Sequence, residues 1–513
     1  MNFKMIIMKK MTVISMVIIA LATTTCNFSQ TRQSLVQKWG IFNIELKGPS
    51  VGNPFTEVEL SAVFKKNNKE VNVAGFYDGG GRYIIRFSPD EEGEWVYQTK
   101  SNVTKLSGKT GKVTCVSPGK GNHGPVKIVN TYYFDYEDGT PYYSVGTTCY
   151  AWIHQPDSLQ ELTLKTLAGA PFNKLRMCIF PKSYAYNTNE PERFPFVKET
   201  DSTFNFSRFD PVFWQHLEKR IVELGELGIE ADLILFHGYD RWGFAEMDDA
   251  SDDRYIRYAI ARLAACHNVW WSLANEYDFM LTPPRANHRG NKQLEDWDRF
   301  FSIFQNEDPY HRLRSIHNGR IWYDHTKEWV THASIQSSDL AKGIDLRNQY
   351  KKPVIFDECR YEGNITQGWG KLTAKEMEQR FWLGAVSGCY VGHGETYMHP
   401  QDILWWSKGG VLHGESPPRI AFMRKIMEAL PFKEMIPVHQ SPDVFVLAKP
   451  GQIYLAYATE AGPVEFKLEG EKNYNVEAID TWNMTVKTID PAKPGDYKFN
   501  APEGGFLLRF TAN

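Results

Sequence analysis

Apolar and polar residues alternate along residues 36–118, in short runs separated by glycine, proline, asparagine and aspartate. Alternation with a period of two is typical of strands that bury one face and expose the other. The pattern therefore predicts an N-terminal β-sandwich of the immunoglobulin-like kind. The clearest runs are WGIFNIELKG, FTEVELSAVFKK, GRYIIRFSP and GEWVYQTKS.

The pattern changes over residues 125–435, where short apolar runs alternate with longer segments of helical periodicity, such as DPVFWQHLEKRIVELGELG and TAKEMEQRFWLGAVS. Continuously apolar runs are typical of parallel strands that are buried on both faces. Eight such strands alternating with helices predict a central (β/α)8 TIM barrel. The candidate strands are YYSVGTTCY, FNKLRMCIF, IEADLILFH, VWWSLANE, RLRSIHN, ASIQSS, KPVIFDE and GCYVGHGE.

Strand-like runs return over residues 437–513 and predict a small C-terminal β-sandwich. The turn-rich segment VSPGKGNHGPVKI marks a boundary between the N-terminal sandwich and the barrel. The chain is therefore predicted to be multidomain, with the barrel between two β-sandwiches.

Residues 1–26 have the composition of an export signal. Lysines come first, an apolar run from Met11 to Ala22 follows, and small residues precede Cys26. The run is too short for a comfortable membrane span. Small residues before a cysteine resemble a bacterial lipoprotein signal, so two outcomes are expected, lipidation of Cys26 or ordinary cleavage nearby. The protein is predicted to be exported, to the periplasm or as a lipoprotein of the bacterial outer membrane or cell surface.

Composition narrows the possible ligands. Aromatic residues make up 14% of the 513 residues, which is compatible with sugar binding but, on composition alone, is more simply explained by large cores. A net charge of −3 and the lack of a long basic run argue against nucleic acid as a partner. The cysteines form no C-x-x-C pair and the histidines have no H-E-x-x-H spacing, so no metal and no other cofactor is predicted. The oligomeric state is left open by these patterns.

Polar side chains follow the predicted barrel strands at their carboxyl ends, where barrels of this kind place their active sites. Taken singly, a carboxylate at such a position is more often a helix cap or a salt-bridge partner than a site residue. Together they form a ring of hydroxyl-binding groups with two glutamates, which suits a carbohydrate substrate. Aromatic side chains, among them Trp152 and Trp369, are expected to line the same cleft. The polar candidates are His154, Arg176, His237, Asn275, Glu276, His317, Glu358, His393 and Glu395.

Two segments resemble a known group of enzymes. WWSLANEYD at the fourth strand and PVIFDECRYEG at the seventh are similar to segments of barrel glycoside hydrolases whose catalytic glutamates end strands four and seven. With its two flanking sandwiches, the whole chain looks like the apiosidase-like barrel proteins of carbohydrate-degrading bacteria. The resemblance implies that Glu276 is the general acid/base, that Glu358 is the nucleophile and that Asn275 binds the sugar 2-hydroxyl.

The environments of the two glutamates must differ. A retaining glycosidase needs two carboxyl groups about 5–5.5 Å apart, one protonated and the other ionised. Arg176 is a candidate for keeping Glu358 ionised, although a salt bridge inside the barrel would look the same in sequence. The sixth strand, SIQSSD, lacks the Tyr or His that often contacts the nucleophile in this group. Glu395 is a third carboxylate, which either binds substrate or competes for a catalytic role. Asp278 either supports a neighbouring site residue or caps the loop that follows it, and the cap is the favoured interpretation.

The sequence thus predicts an exported glycoside hydrolase that cleaves O-glycosidic bonds in plant or algal poly- or oligosaccharides with retention of configuration. A narrower alternative is an apiosidase or another exo-acting glycosidase that removes side chains. An alternative of another class is a non-catalytic carbohydrate-binding surface protein. The presence of both Glu276 and Glu358 favours an enzyme.

Overall fold

The computed structural model describes residues 34–400 and 404–513. The predicted export signal and Cys26 lie outside the described residues. The centre of the described chain is a sheet of eight parallel strands, β1 to β8 in chain order. Their bounds are Val145–Thr148, Lys174–Cys178, Glu230–His237, Val269–Asn275, Arg314–Ser315, Ala333–Gln336, Val354–Glu358 and Tyr390–His393.

The sheet closes into a barrel. The strands are paired in the order β5-β4-β3-β2-β1-β8-β7-β6. A parallel bridge between His317 and Ser334 then joins the two outer strands, β5 and β6. Strands β2, β3 and β4 are buried along their whole length, because helices cover the outside of such a barrel and side chains fill its interior. The eight strands coincide with the eight apolar runs of the sequence.

Seven helices of eight or more residues, α1 to α7, connect or follow the barrel strands within residues 34–400 and 404–513. The connection from β5 to β6 contains no helix. Local signals set the helix starts: Asp210 caps α2 ahead of Pro211, and Thr373 begins α6 with a capping box. None of the described helices is long and apolar enough to cross a membrane. The helices are Asp157–Leu167, Pro211–Glu226, Asp249–Leu263, Leu294–Glu307, Gly343–Tyr350, Ala374–Val386 and Ser416–Glu428.

A small antiparallel sheet closes the amino-terminal end of the barrel. It consists of the strands Val126–Val129, Tyr133–Tyr136 and Pro141–Tyr142. The ring of Phe134 lies 5.2 Å from the rings of Trp270 and Tyr390, which stand at the starts of β4 and β8. With this end filled by aromatic side chains, a ligand has access to the barrel at the carboxyl ends of the strands.

The N-terminal flank is a seven-stranded sheet-rich unit. The run FTEVELSAVFKK, predicted as strand throughout, begins instead with a helical turn, Pro54–Glu57. Proline at the first helical position favours that turn, since its missing N–H needs no partner there. The strands are Ser34–Gln37, Phe42–Lys47, Leu60–Lys66, Lys69–Tyr77, Arg82–Phe87, Gly93–Ser101 and Thr110–Val116.

The C-terminal flank has a six-stranded antiparallel sheet and a separate two-stranded antiparallel sheet. Side chains of both flanks, such as Phe76 and Tyr457, belong to the same apolar core as the barrel. A buried ion pair between Asp78 and Arg262 of α3, at 2.7 Å, also joins the N-terminal flank to the barrel. The strands of this flank are Ile436–Gln440, Val444–Lys449, Ile453–Ala458, Gly462–Leu468, Tyr474–Asp480, Thr485–Ala492, Gly495–Ala501 and Phe506–Ala512.

Candidate active site

A cavity of about 650 Å³ lies at the carboxyl ends of the barrel strands. Residues that end or follow all eight strands contribute to its walls. Both Glu276 and Glu358 line it, so the structure brings the two predicted catalytic glutamates together. Its other lining residues are Tyr150, Lys182, Tyr184, Ala185, Tyr186, Tyr239, Phe279, Arg285, His288, Gly319, Arg320, Gln336, Ser337, Ser338, Arg360, Tyr361, Trp369 and Trp406.

Glu276 follows the last residue of β4 and has a left-handed backbone conformation, with φ of 52°. Such a conformation is uncommon for a residue other than glycine and often marks a functional site. Its Oε2 accepts hydrogen bonds from the Tyr239 hydroxyl, at 2.5 Å, and from Nδ2 of Asn275, at 3.2 Å. Burial, and secondly the charge of Glu358, raise the pKa of Glu276 to about 7. Glu276 is therefore suited to hold a proton at neutral pH.

Glu358 is the last residue of β7, and its side chain is 13% exposed. The hydroxyl of Tyr150, which follows β1, donates a hydrogen bond to its Oε1. Nε2 of His317 lies 3.9 Å from the same oxygen. Burial holds the pKa of His317 well below its usual range, so the imidazole is neutral. The tyrosine contact that the sequence of β6 lacks is thus supplied by the segment after β1.

Lys182 lies between two tyrosines at the wall of the cavity and was not predicted. Its Nζ is 3.7 Å from the ring centroid of Tyr150 and 4.1 Å from that of Tyr239. The residue is 2% exposed, and burial lowers the pKa of its ammonium group. Lys182 is therefore a buried cation next to the tyrosines that hold the two glutamates.

One side of the cavity is aromatic. Trp369, predicted to bind substrate, is 36% exposed and lies 5.0 Å from the ring of Trp406. Its ring also lies 5.9 Å from Tyr361 and 6.2 Å from Tyr186. Flat apolar rings beside groups that donate and accept hydrogen bonds suit a sugar, which has apolar ring faces and polar edges.

Three arginines line the outer part of the cavity: Arg285, Arg320 and Arg360. Their guanidinium groups make no hydrogen bond or ion pair with other described residues, so their donors are available to a ligand. Arg320 is held in place by Asp278, whose carboxylate accepts from the backbone N–H groups of Gly319, Arg320 and Ile321 at 2.5, 2.8 and 3.1 Å. Asp278 thus fixes the loop after β5, whereas the sequence predicted a cap of the loop that follows Asp278 itself.

Trp152 and His154 were predicted to bind substrate, but they do not line the cavity. Trp152 is fully buried, and its indole N–H donates to the carbonyl of Gln160 in α1. His154 is 5% exposed, and its Nε2 bonds to the carbonyl of Ile179. A short 3-10 turn, Trp152–His154, directs both side chains towards the core. These two assignments are corrected, because the side chains pack behind the cavity wall.

His237 and His393 end their strands as predicted, yet they also stay behind the wall. Nε2 of His237 bonds to the carbonyl of Phe180 at 3.1 Å. Nδ1 of His393 bonds to the hydroxyl of Thr147 at 3.0 Å. Each imidazole is buried and holds a neighbouring strand or loop, so the prediction that they bind substrate is corrected to a structural role.

Arg176 forms the salt bridges inside the barrel that were weighed as its alternative role. Its guanidinium lies 3.6 Å from Asp232 and 3.5 Å from Asp357. Lys174 bonds to the same two carboxylates at 2.9 and 2.7 Å. Burial alone would raise the pKa of Asp357, but the two cations outweigh it and lower that pKa well below its usual range. Arg176 therefore pairs directly with these aspartates and donates to the Ser272 hydroxyl at 3.4 Å, whereas Glu358 and Arg176 interact only through their charges, without contact.

Glu395 does not line the cavity either. Its carboxylate accepts from the backbone N–H groups of His413, at 2.5 Å, and Gly414, at 2.8 Å. The neighbouring Glu362 accepts in the same way from Glu415, at 2.8 Å. These two carboxylates hold the segment that leads into α7. The prediction that Glu395 binds substrate is corrected, because its oxygens are occupied by the backbone.

Sequence reasoning missed the lining residues that come from long connections, such as Lys182, Tyr184, Arg285 and His288. They lie between elements and follow no apolar period. The clustered tyrosines of KSYAYN, which begins four residues after the end of β2, are the one local signal that marks this part of the wall. No group of three or more His, Cys, Asp or Glu residues positioned to hold a metal ion occurs in the described part of the chain.

Sequence comparison identifies the family. Residues 129–434 match the family described as apiosidase-like, catalytic domain, which is more than half of the chain. The chain belongs to the apiosidase-like family. In this apiosidase-like protein, residues 35–102 and 443–507 match two further families, DUF5060 and DUF5605, which are described as domains of unknown function. A search of curated proteins finds no match.

Solved structures agree with the family. The apiosidase-like protein is 38% identical to a candidate glycoside hydrolase from Bacteroides vulgatus ATCC 8482, over 94% of this chain and 100% of that one, with a TM-score of 0.87. A glycoside hydrolase family 5 protein from the same organism is 14% identical, covers 76% of this chain and 94% of its own, and has a TM-score of 0.60. That second likeness shows the fold. Taken together, the apiosidase-like protein is a glycoside hydrolase and its substrate is a carbohydrate.

Proposed function

We propose that the protein is a retaining O-glycoside hydrolase that acts outside the cytoplasm on plant or algal poly- or oligosaccharides. Glu276 is its general acid/base and Glu358 its nucleophile. The observation that carries this proposal is the pair of glutamates at the ends of β4 and β7, which line one cavity in unlike environments. Paired carboxyl groups with separated pKa values are what a retaining hydrolase requires.

The surroundings of the two glutamates support their roles. With a pKa of about 7, Glu276 carries a proton for the departing glycosidic oxygen while Glu358 attacks the anomeric carbon. The bond to Glu358 removes its negative charge, which lowers the pKa of Glu276, since that charge is one of the causes that raise it. Glu276 then accepts a proton from the water that releases the sugar.

Asn275 supports the position of the sugar ring. Its side chain is fully buried and donates to Glu276. Its Oδ1 has no hydrogen-bond partner among the described residues, and a buried unpaired acceptor is unfavourable. A sugar 2-hydroxyl beside Glu276 would satisfy it. The family description also favours the narrower candidate, an apiosidase or another exo-acting glycosidase that removes side chains.

The test is a screen of aryl glycosides and plant polysaccharides with the wild type, Glu276→Gln and Glu358→Gln, and with Glu295→Gln on the exposed face of α4 as a matched control. Glu358→Gln is expected to lose roughly a thousandfold or more in kcat on every substrate. Glu276→Gln is expected to retain activity on aryl glycosides with good leaving groups, because these need no proton. Wild-type activity in both variants, or release of the inverted anomer in an NMR time course, would contradict the proposal.

A further inference from the structure

Lys182 is a buried ammonium group without a counter-ion in contact. It is 2% exposed, and its Nζ makes no hydrogen bond or ion pair with any residue in 34–400 or 404–513. An isolated buried charge is costly, so its place at the cavity wall needs a compensating interaction. The compensation comes from aromatic faces: the rings of Tyr150, Tyr239 and Tyr184 lie 3.7, 4.1 and 5.1 Å from Nζ.

The two nearest rings have a second task in the site. The Tyr150 hydroxyl donates to Glu358, and the Tyr239 hydroxyl donates to Glu276. Tyr150 follows β1 and Tyr239 follows β3, whereas Lys182 follows β2 between them. One cation therefore touches both phenols, and each phenol touches a different glutamate.

We propose that Lys182 is a positioning residue for both reacting carboxylates: it holds the rings of Tyr150 and Tyr239 at a fixed separation, and so aims their hydroxyls at Glu358 and Glu276. The inference rests on the proposed function of the two glutamates. Cation–π contacts are strongest when the ammonium group is desolvated, as it is here, and two such contacts fix the positions of both rings.

The charge of Lys182 has a further effect. A nearby positive charge favours the ionised form of a carboxyl group, and Lys182 is among the causes that lower the pKa of Glu276. Other charged groups around the pair are Arg176 and Asp278 and, on the cavity wall, Arg285, Arg320 and Arg360. The remaining titratable neighbours are Cys178, His237, His288, His317 and Tyr361, and burial keeps the pKa of His237 at about 3 and that of His317 well below its usual range.

The decisive measurement is the pH profile of kcat/KM for Lys182→Met and Lys182→Arg. The alkaline limb of the profile reports the general acid of the free enzyme, which is assigned here to Glu276. Loss of the charge raises the pKa of Glu276, so Lys182→Met is expected to move the alkaline limb upward by about one pH unit and to lower kcat tenfold or more. Lys182→Arg keeps the charge and the alkaline limb. Lys219→Met, which removes an exposed charge on α2, is expected to leave the profile unchanged.

A second pair of variants tests the inference without replacing Lys182. Tyr239→Phe keeps the ring and is expected to move the alkaline limb. Tyr239→Leu also removes the ring, releases Lys182 from its place beside Tyr150 and is expected to have a kcat at least tenfold below that of Tyr239→Phe. If Lys182→Met fails to fold, the two Tyr239 variants still test whether Lys182 positions the two rings.

Three results would overturn the inference. The first is a loss of kcat in Lys182→Met with the alkaline limb in place, which indicates a purely structural role. The second is a rise in KM alone, which makes Lys182 a substrate ligand. The third is a kcat that is the same in Tyr239→Leu and Tyr239→Phe. A wild-type enzyme without activity on any glycoside would instead contradict the proposed function, and this inference with it.

Discussion

Tyr239→Phe isolates the hydrogen bond that tunes the proposed acid. The Tyr239 hydroxyl donates to Oε2 of Glu276 at 2.5 Å, and the phenylalanine ring keeps the contact with Lys182. A hydrogen bond to a charged group is worth roughly 1.5–3 kcal/mol, and one pKa unit corresponds to about 1.4 kcal/mol. Since the neutral carboxyl also accepts this bond, we expect the pKa of Glu276 to rise by about one unit from its value of about 7.

The sign of the effect on activity follows from the role of Glu276. The acid must be protonated when the glycosidic bond breaks, so a higher pKa extends activity to higher pH. The alkaline limb of kcat/KM is expected to move up by about one pH unit while the acid limb stays in place. The assay is a pH profile between pH 4 and 10 on an aryl glycoside with a poor leaving group, for which proton donation limits the rate.

Tyr150→Phe is the matched control, because it removes the donor to Glu358 instead. It should leave the alkaline limb where it is. The reasoning is refuted if Tyr239→Phe leaves the alkaline limb unmoved or lowers it, or if Tyr150→Phe raises that limb by as much.

Three further outcomes are expected. Asp278→Ala removes the acceptor of three backbone N–H groups in the loop after β5. We expect the free energy of unfolding, measured by thermal denaturation, to fall by about 1–3 kcal/mol and KM to rise. An unchanged KM would show that this loop takes no part in substrate binding. Burial raises the pKa of Glu395 from 4.5 to about 7, so this group binds more protons in the folded state and stability falls as pH rises through that interval. In urea titrations between pH 5 and 8, the free energy of unfolding of Glu395→Gln should fall by about 3 kcal/mol less than that of the wild type. An identical pH dependence in the two proteins would contradict this expectation. Trp369→Ala should raise KM severalfold for oligosaccharides and less for single glycosides, as initial rates on a chain-length series would report.

The sequence pattern was sufficient to predict the barrel and the positions of two glutamates at its opening. Buried parallel strands need continuous apolar runs, and VWWSLAN and PVIFDE are such runs with a glutamate at or directly after the end. Strand order along the chain then places both ends at the same opening of the barrel. Glu276 and Glu358 were therefore predictable from local pattern and topology together.

Side-chain direction was not predictable in the same way. His237 also ends a barrel strand, yet it turns to the carbonyl of Phe180 behind the wall. Neighbouring residues of a strand point to opposite faces, and after the last paired residue the backbone decides the direction. Glu276 points into the cavity from a left-handed backbone conformation, which the amino-acid sequence does not reveal. Lys182 was missed because long connections have no periodicity that a sequence pattern would reveal.

The apolar core that runs from the barrel into both flanks sets the size of the smallest unit that folds. Phe76 and Ile84 from one flank, and Leu455 and Tyr457 from the other, pack into the core of the barrel. An excised fragment of residues 125–435 would expose these contact faces to water, and large exposed apolar patches promote aggregation. The flanking sheets are thus part of the folded enzyme and are not separable attachments. Engineering that transfers the active site to another protein therefore has to transfer all three parts.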